Sequence, residues 1–391
     1  MRIVQVTPWY YPHLGGVESH VEALSRELAG RGHDVTIVTT RHDPSSPPEE
    51  TVEGVRIVRA DPRAILLRTP IVPRMRGVLQ ELPMDVVHAH SPPPLSAGYA
   101  VRVASRRRIP SVVTYHCDIE IPSPFGALVG GAYRRSLGAR TLRRADRVVV
   151  TTRTYAATSR AMWRYSPVVI PNAVDHRRFR PDVDGAAARA RLRIPADKPV
   201  ILLVARIVPH KGIEHLLEAS RLLRDAVVLI GGEGSSLEAM RVLAGRLGVH
   251  DTVRFLGRVS PRGLPSLYAA CDVFVLPSVS RLEAFGIAAL EAMATAKPVV
   301  VTDIPGPREV IEDGREGLLA DPVNPQDLAA KIRRLLDDPA LRQDMGRQAR
   351  KKVLASFTIE KVTDRIEHLY ASLASGGENQ DSTRRDTRSP E

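Results

Sequence analysis

Aromatic residues make up only 4% of the 391-residue chain, and it has just two cysteines. Each scarcity excludes something. Two cysteines, Cys117 and Cys271, cannot build a disulfide framework, and neither sits in a metal-type spacing. A reducing compartment is the simplest reading. No stretch interleaves the few aromatics with basic residues, which argues against single-stranded nucleic acid as a partner, because such sites stack bases on aromatic platforms. No apolar run approaches the roughly 20 residues that a membrane helix needs. The opening Met1-Arg2-Ile3-Val4-Gln5-Val6 reads as a strand and lacks the charged, apolar and small-residue regions of a signal peptide. The expectation is a cytoplasmic protein, or one held peripherally on the inner face of the cell membrane.

Acidic residues are also short: 44 against 56 Lys and Arg, for a net charge of +12. A basic balance suits anionic partners such as nucleotide phosphates or acidic lipid head groups.

What the chain does have is length for two cores. Short β-branched runs alternate with helical stretches. Ile3 to Thr7, Asp34 to Thr40, Val86 to His90, Ser111 to Tyr115, Arg147 to Thr152 and Val168 to Pro171 read as strands. They are nearly all apolar, as parallel strands covered on both faces should be. A polar, Arg-rich passage, Asp175 to Pro181, marks a domain boundary. A second strand–helix series follows, with strands at Val200 to Ala205, Ala226 to Ile230, Thr252 to Leu256, Asp272 to Leu276 and Pro298 to Thr302. The repetition predicts an α/β protein of two doubly wound domains, 1–175 and 176–356. Helices continue to about residue 374, and the Gly/Ser/Asp/Arg-rich tail 375–391 carries no apolar pattern and reads as disordered. In such sheets ligands sit beyond the carboxyl ends of the strands, so motifs there carry the most weight.

The strongest of these runs from Pro277-Ser278 through Glu283-Ala284-Phe285-Gly286-Ile287 to Glu291. The pattern predicts a helix beginning near Ala284 or Phe285, with Glu291 about two turns along it, ~11 Å by the rise per residue. The N–H groups of such a helix start, around Phe285, Gly286 and Ile287, attract a diphosphate. One carboxylate is then placed for sugar hydroxyls and the other for ribose hydroxyls. A capping glutamate followed by a solvated one fits the same spacing. Arg206 and Lys211 follow another buried strand and precede Gly212; both can reach one pyrophosphate, Arg206 as a planar fork and Lys211 as a point charge. Gly231-Gly232-Glu233-Gly234 lets backbone approach a phosphate, although a tight turn explains it equally, and the sixth position of a dinucleotide fingerprint would be Leu237.

In the first domain Gly15-Gly16 separates the first strand from its helix, as a ligand loop or a plain loop pair. His88, His90, His116 and Asp118 end two strands. They raise a metal question, yet His88 and His90 share one side of a strand, where one of them fits equally as a packed core histidine, and no metal is expected. Asp182 and Asp184 lie in the polar linker and read as solvated.

Taken together, these residues resemble the retaining GT-B glycosyltransferases of family 4, also called group 1. Glu283 and Glu291 look like that family's Glu-x7-Glu pair. Pro8-Trp9-Tyr10-Tyr11-Pro12 with Gly15-Gly16-Val17-Glu18 looks like its opening, and Pro171-Asn172-Ala173-Val174-Asp175 is similar to its interdomain motif, with Ala173 for the usual glycine. The resemblance implies two Rossmann-like domains facing a central cleft, and a last helix, 357–374, crossing back to an acceptor-binding first domain. It implies that Arg206 and Lys211 neutralise the leaving diphosphate, Glu283 contacts the transferred sugar and Glu291 the ribose. It places His116 beside the sugar, Asp118 near the acceptor, and the base against backbone near Phe255 to Val259. The donor is then a nucleotide-diphosphate sugar, GDP-mannose or a UDP-hexose, and the acceptor a lipid-linked or glycan molecule of cell-envelope or glycoconjugate synthesis, with no metal cofactor and no nucleic acid partner. Ten arginines between Arg102 and Arg147 fit an anionic membrane surface as a further partner, and an ordinary basic surface helix equally. The competing readings are a nucleotide-sugar epimerase or hydrolase, and a non-catalytic nucleotide-sugar-binding protein.

Overall fold

The computed structural model describes residues 1–13, 15–66, 69–93, 95–119 and 124–376. The chain divides into two compact units, the first comprising Met1–Thr151, Ala156–Ile170 and the chain from Glu360, the second Thr152–Tyr155 and Pro171–Ile359.

Among the described residues the first unit has ten strands: β1 (Arg2–Val6), β2 (Asp34–Thr40), β3 (Glu49–Val52), β4 (Val55–Ala60), β5 (Ala64–Leu66), β6 (Thr69–Ile71), β7 (Val86–Ser91), β8 (Ser111–Tyr115), β9 (Arg147–Val150) and β10 (Val168–Val169). Eight of them form one sheet in the order β10-β9-β8-β7-β1-β2-β4-β3, parallel except for β3 against β4, while β5 and β6 pair separately. β1, β7 and β8 are buried almost throughout, because helices cover both faces. One face carries polar residues into that interior. Gln5 pairs in register with His88, and His90 with Thr114. The closing helix Ile359–Gly376 belongs to this unit from Glu360 on. Its Tyr370 is fully buried, and Arg31 ties it down through Asp364 and Glu367 at 2.6 and 2.5 Å.

The second unit carries β11 (Val200–Val204), β12 (Val227–Gly231), β13 (Val253–Gly257), β14 (Val273–Leu276), β15 (Val299–Thr302) and β16 (Gly317–Ala320). They form an all-parallel sheet ordered β13-β12-β11-β14-β15-β16, with an α-helix after each of β11 to β14 and a short 3-10 turn, Pro307–Glu309, between β15 and β16. Strand order reverses between β11 and β14, and in doubly wound sheets ligands sit beyond the strand carboxyl ends at such a reversal.

Strand ends fall at the positions read from the sequence or one residue away, except that β9 and β10 stop two residues early, at Val150 and Val169. Larger differences have identifiable causes. β3 and β4, a charge-rich hairpin (Glu-Glu-Thr-Val and Val-Arg-Ile-Val-Arg-Ala), escape a search for continuous apolar runs because the sheet's edge leaves one side of them wet. The boundary falls at Ile170/Pro171 rather than 175/176, since Val174 already bridges to Thr358 and its N–H donates to the Phe357 carbonyl at 2.9 Å. Thr152–Tyr155 joins the second unit because the Glu309 carboxylate accepts the N–H groups of Arg153 and Thr154. Of the tail, Ser375 and Gly376 end the last helix, and 377–391 lie outside the described residues.

Candidate functional site

At the carboxyl end of the second sheet four loops are knitted together by backbone. Beyond β11, the Ile207 N–H donates to the Glu233 carbonyl at 2.8 Å, and the Ala205 N–H to the Gly231 carbonyl at 3.0 Å. The Val279 N–H, beyond β14, donates to the His210 carbonyl at 3.0 Å. The Thr302 hydroxyl, at the end of β15, donates to the Ser278 carbonyl. Glycines make the close approaches feasible. Gly232, at φ +141°, has its Cα so near the Ala205 carbonyl that a Cβ would overlap it. Gly232 also donates to the Gly257 carbonyl at 2.8 Å, which brings the end of β13, Phe255 to Val259, into the same group.

Within this frame Lys211 donates from Nζ to Glu283 Oε2, and both side chains are largely buried. The Ser278 hydroxyl donates to the same oxygen at 3.3 Å. Burial pushes the Glu283 carboxyl up, but the Lys211 charge and hydrogen bond, then His210 and Ser278, outweigh it and hold the group below its ordinary range. Glu283 is therefore an ionised acceptor. Arg206, two residues beyond β11, is exposed and makes no ion pair or side-chain hydrogen bond among the described residues.

The helix after Glu283 starts later than expected. It spans Ile287–Ala294, because Gly286 sits at φ +94°, outside helical space. Glu291 is thus one turn into the helix, not two. The amides of Phe285, Gly286, Ile287 and Ala288 find no backbone or side-chain acceptor among the described residues, so four consecutive N–H groups are left at the positive end of the helix that follows the Glu283 loop. The Phe285 ring is no ligand surface: it is 4% exposed and meets Phe357 edge-on at 6.0 Å. Only its backbone remains for a donor.

Glu291 accepts a 2.6 Å hydrogen bond from the Tyr268 hydroxyl. Burial raises its carboxyl to about 7, with Tyr268 and the Arg178 charge pulling the other way. Tyr268 itself is fully buried, edge-on to Phe179 at 5.6 Å, over which Arg178 lies at 4.9 Å. Sequence spacing gave no hint of Tyr268, 23 residues before its partner.

In the first unit Gly15 is extended and precedes the helix Gly16–Gly30, while neighbouring Leu14 lies outside the described residues. His116 follows β8, is 5% exposed, and shares a 3.0 Å hydrogen bond with His90. Burial pushes His88 down to about 3, and holds His90 and His116 well below the ordinary histidine range. These imidazoles are neutral; both nitrogens of His88 and His90 are paired within the protein, whereas His116 is paired through Nε2. Asp118 is 3% exposed and its carboxylate accepts from the Tyr115 hydroxyl at 3.0 Å, the Ser159 hydroxyl at 2.7 Å and the Arg160 N–H at 3.1 Å. Ser159 in turn accepts the N–H groups of Ala161 and Met162 at 3.2 Å. Asp118 thus braces a loop. Asp184 accepts the N–H groups of Ala186 and Ala187, 2.8 and 3.3 Å away, at a helix start, and exposed Asp182 meets Arg180 at 3.4 Å. Both are peripheral to the strand ends.

The sequence profile described as Glycosyltransferase Family 4 matches residues 14–178, and the one described as Glycosyl transferases group 1 matches residues 185–352. A D-inositol 3-phosphate glycosyltransferase of Kineococcus radiotolerans is 33% identical over 86% of each chain. The chain belongs to the family 4 (group 1) glycosyltransferases. A glycogen synthase of Mycobacterium tuberculosis is 30% identical over 96% of each chain. The sucrose-phosphate synthase of Thermosynechococcus elongatus superposes with a TM-score of 0.80 at 24% identity, covering 96% of this chain and all of that one. This family member therefore has two Rossmann-like domains of the GT-B class and is a glycosyltransferase.

Proposed function

We propose that this glycosyltransferase moves a hexosyl group from a UDP- or GDP-hexose to a lipid-linked or glycan acceptor, with retention of configuration and without a metal ion. The observation that carries the reading is the Lys211–Glu283 ion pair beside the four unbonded N–H groups of Phe285 to Ala288. Rupture of the bond between C1 and the phosphate oxygen leaves an oxocarbenium-like sugar and a diphosphate gaining negative charge. Lys211 has three N–H donors and uses one on Glu283, Arg206 is exposed, and the helix start adds fixed dipoles. Such preorganised charge stabilises a leaving anion without reorganisation. Glu283, held ionised, accepts hydrogen bonds from sugar hydroxyls, and Glu291 takes the ribose. The acceptor oxygen attacks C1 from the leaving-group side as the phosphate departs, and its proton passes to the β-phosphate oxygen. The carboxylates are then grips rather than the acid–base pair of a glycosidase. Gly15, Gly16 and His116 are the first unit's candidate substrate contacts, and Asp118 braces a loop of that unit.

Thermal-shift screening of UDP- and GDP-hexoses identifies the donor, since a bound ligand raises the unfolding temperature. With it, Lys211→Ala and Glu283→Gln should each lower transfer by about a hundredfold or more with an unchanged circular dichroism spectrum. Wild-type turnover in both variants, an inverted anomeric product, or loss of activity in EDTA would each overturn a stated part. Rapid conversion of donor in the absence of acceptor would favour a hydrolase or epimerase instead.

A lipid-linked acceptor is favoured by the segment from Pro124 to Arg144. Leu128 and Leu137 are 70% and 45% exposed there, interspersed with Arg134, Arg135, Arg140, Arg143 and Arg144. Apolar side chains among arginines suit the inner, anionic face of a cell membrane. No helix among the described residues is long and apolar enough to cross one. Salt-sensitive sedimentation with phosphatidylserine vesicles is expected, and its absence refutes the membrane contact.

A further inference from the structure

The polar face of the first sheet holds a continuous chain of hydrogen bonds that ends on His116. Tyr370, from the closing helix, and Gln5, from β1, are its middle links, and His88 with Thr114 its other end. His88, His90 and His116 are stacked in a column, with ring centroids 4.6 and 5.3 Å apart and planes 25° and 22° from parallel. His20 closes the side of the column, 6.0 Å from His90 and 5.8 Å from His116. A polar column this deep is costly unless each group is paired.

Each neutral imidazole has one donor and one acceptor nitrogen, so the protons follow once the Gln5 amide has Nε2 toward Tyr370 and Oε1 toward His90. The Gln5 Nε2 amide donates to the Tyr370 oxygen at 3.3 Å. The Tyr370 hydroxyl has a single proton and gives it to His88 Nδ1 at 2.6 Å. His88 therefore carries its proton on Nε2 and donates to the Thr114 hydroxyl at 2.7 Å. The other end of the same amide, Gln5 Oε1, accepts, so His90 donates from Nε2 at 3.0 Å and its Nδ1 is bare. His116 must then donate from Nε2 to His90 Nδ1 at 3.0 Å. Its own Nδ1 is left as an acceptor, with no partner among the described residues. Turning the Gln5 amide over would reverse every bond and convert His116 Nδ1 into a donor.

We propose that Gln5, His90 and Tyr370 are positioning residues that lock His116 as its Nε2–H tautomer, so that Nδ1 accepts a hydrogen bond from a substrate hydroxyl. This rests on the reading that His116 meets the substrate, and the experiment separates the two. The full-length protein labelled with ¹⁵N-histidine gives long-range proton–nitrogen spectra in which the tautomer of each imidazole is read directly. His116 is assigned by the signal lost in His116→Ala. The wild type should show His116 protonated at Nε2 and bare at Nδ1, with no substrate present. Tyr370→Phe removes one hydroxyl and frees the Gln5 amide. It should give averaged nitrogen shifts for His116 and lower kcat about tenfold, with the donor KM within about twofold. Gln5→Met, close in volume, should do the same by severing the link to His90. A wild-type His116 protonated at Nδ1 overturns the inference whatever the variants do. So does a Tyr370→Phe protein with unchanged tautomer and kcat. If the wild-type tautomer is as stated but His116→Ala leaves transfer intact, the relay stands as structure and the substrate role of His116 is refuted.

Discussion

Replacing Glu291 by glutamine should stabilise the second unit at alkaline pH while weakening donor binding. The carboxyl is held at about 7 instead of 4.5, chiefly by burial. A group raised in this way stabilises the fold while protonated in both states, and that contribution is lost as pH climbs from about 4.5 through about 7. Undiscounted, the interval corresponds to about 3 kcal/mol at 1.36 kcal/mol per pH unit. The side chain is partly solvated, so about 1–2 kcal/mol is a fairer expectation. Glutamine keeps the shape and an oxygen for the Tyr268 hydroxyl but has nothing to ionise. Urea titrations at pH 5 and pH 8, followed by fluorescence and circular dichroism, measure the difference. The variant's stability relative to wild type should rise by about 1–2 kcal/mol between the two pH values. In the same protein, the thermal shift produced by the donor should shrink, because the carboxylate grip on the ribose is gone. A relative stability that stays flat or falls from pH 5 to pH 8 would refute burial as the cause.

Gly232→Ala combines a φ of +141° with a Cβ that overlaps the Ala205 carbonyl, so it should lower stability by about 2 kcal/mol or more and abolish the donor-induced thermal shift; an ordinary thermal unfolding curve would show this loop tolerates a side chain. Asp118→Asn keeps size but replaces one accepting oxygen with an amide nitrogen, disturbing the Tyr115, Ser159 and Arg160 bonds. It should cost about 1–3 kcal/mol in chemical denaturation and speed hydrogen exchange at Arg160 to Met162; unchanged exchange there would show that the carboxylate does not brace the loop.

Parallel strands announce themselves because both faces are covered: Val200 to Val204 and Val299 to Val301 are apolar without interruption. The same logic marks their carboxyl ends, and so Arg206, Lys211, Gly232 and Glu283 stand out before any fold is known. A sequence also shows an oddity such as Gln5 inside Ile-Val-Gln-Val, a polar residue where burial is expected. What it does not show is the partner. Gln5 meets Tyr370 from 365 residues away, and Glu291 meets Tyr268 across a strand and a loop.

Local composition and periodicity therefore determined the α/β class, the twin strand–helix series and the charged residues at the strand ends, since these depend on neighbours within a few positions. Only the tertiary structure decided which charges are paired, where Gly286 delays the helix, that Asp118 braces a loop and that the histidines are neutral. Those properties depend on desolvation and on contacts between residues far apart in the chain, and spacing along a sequence carries no measure of either.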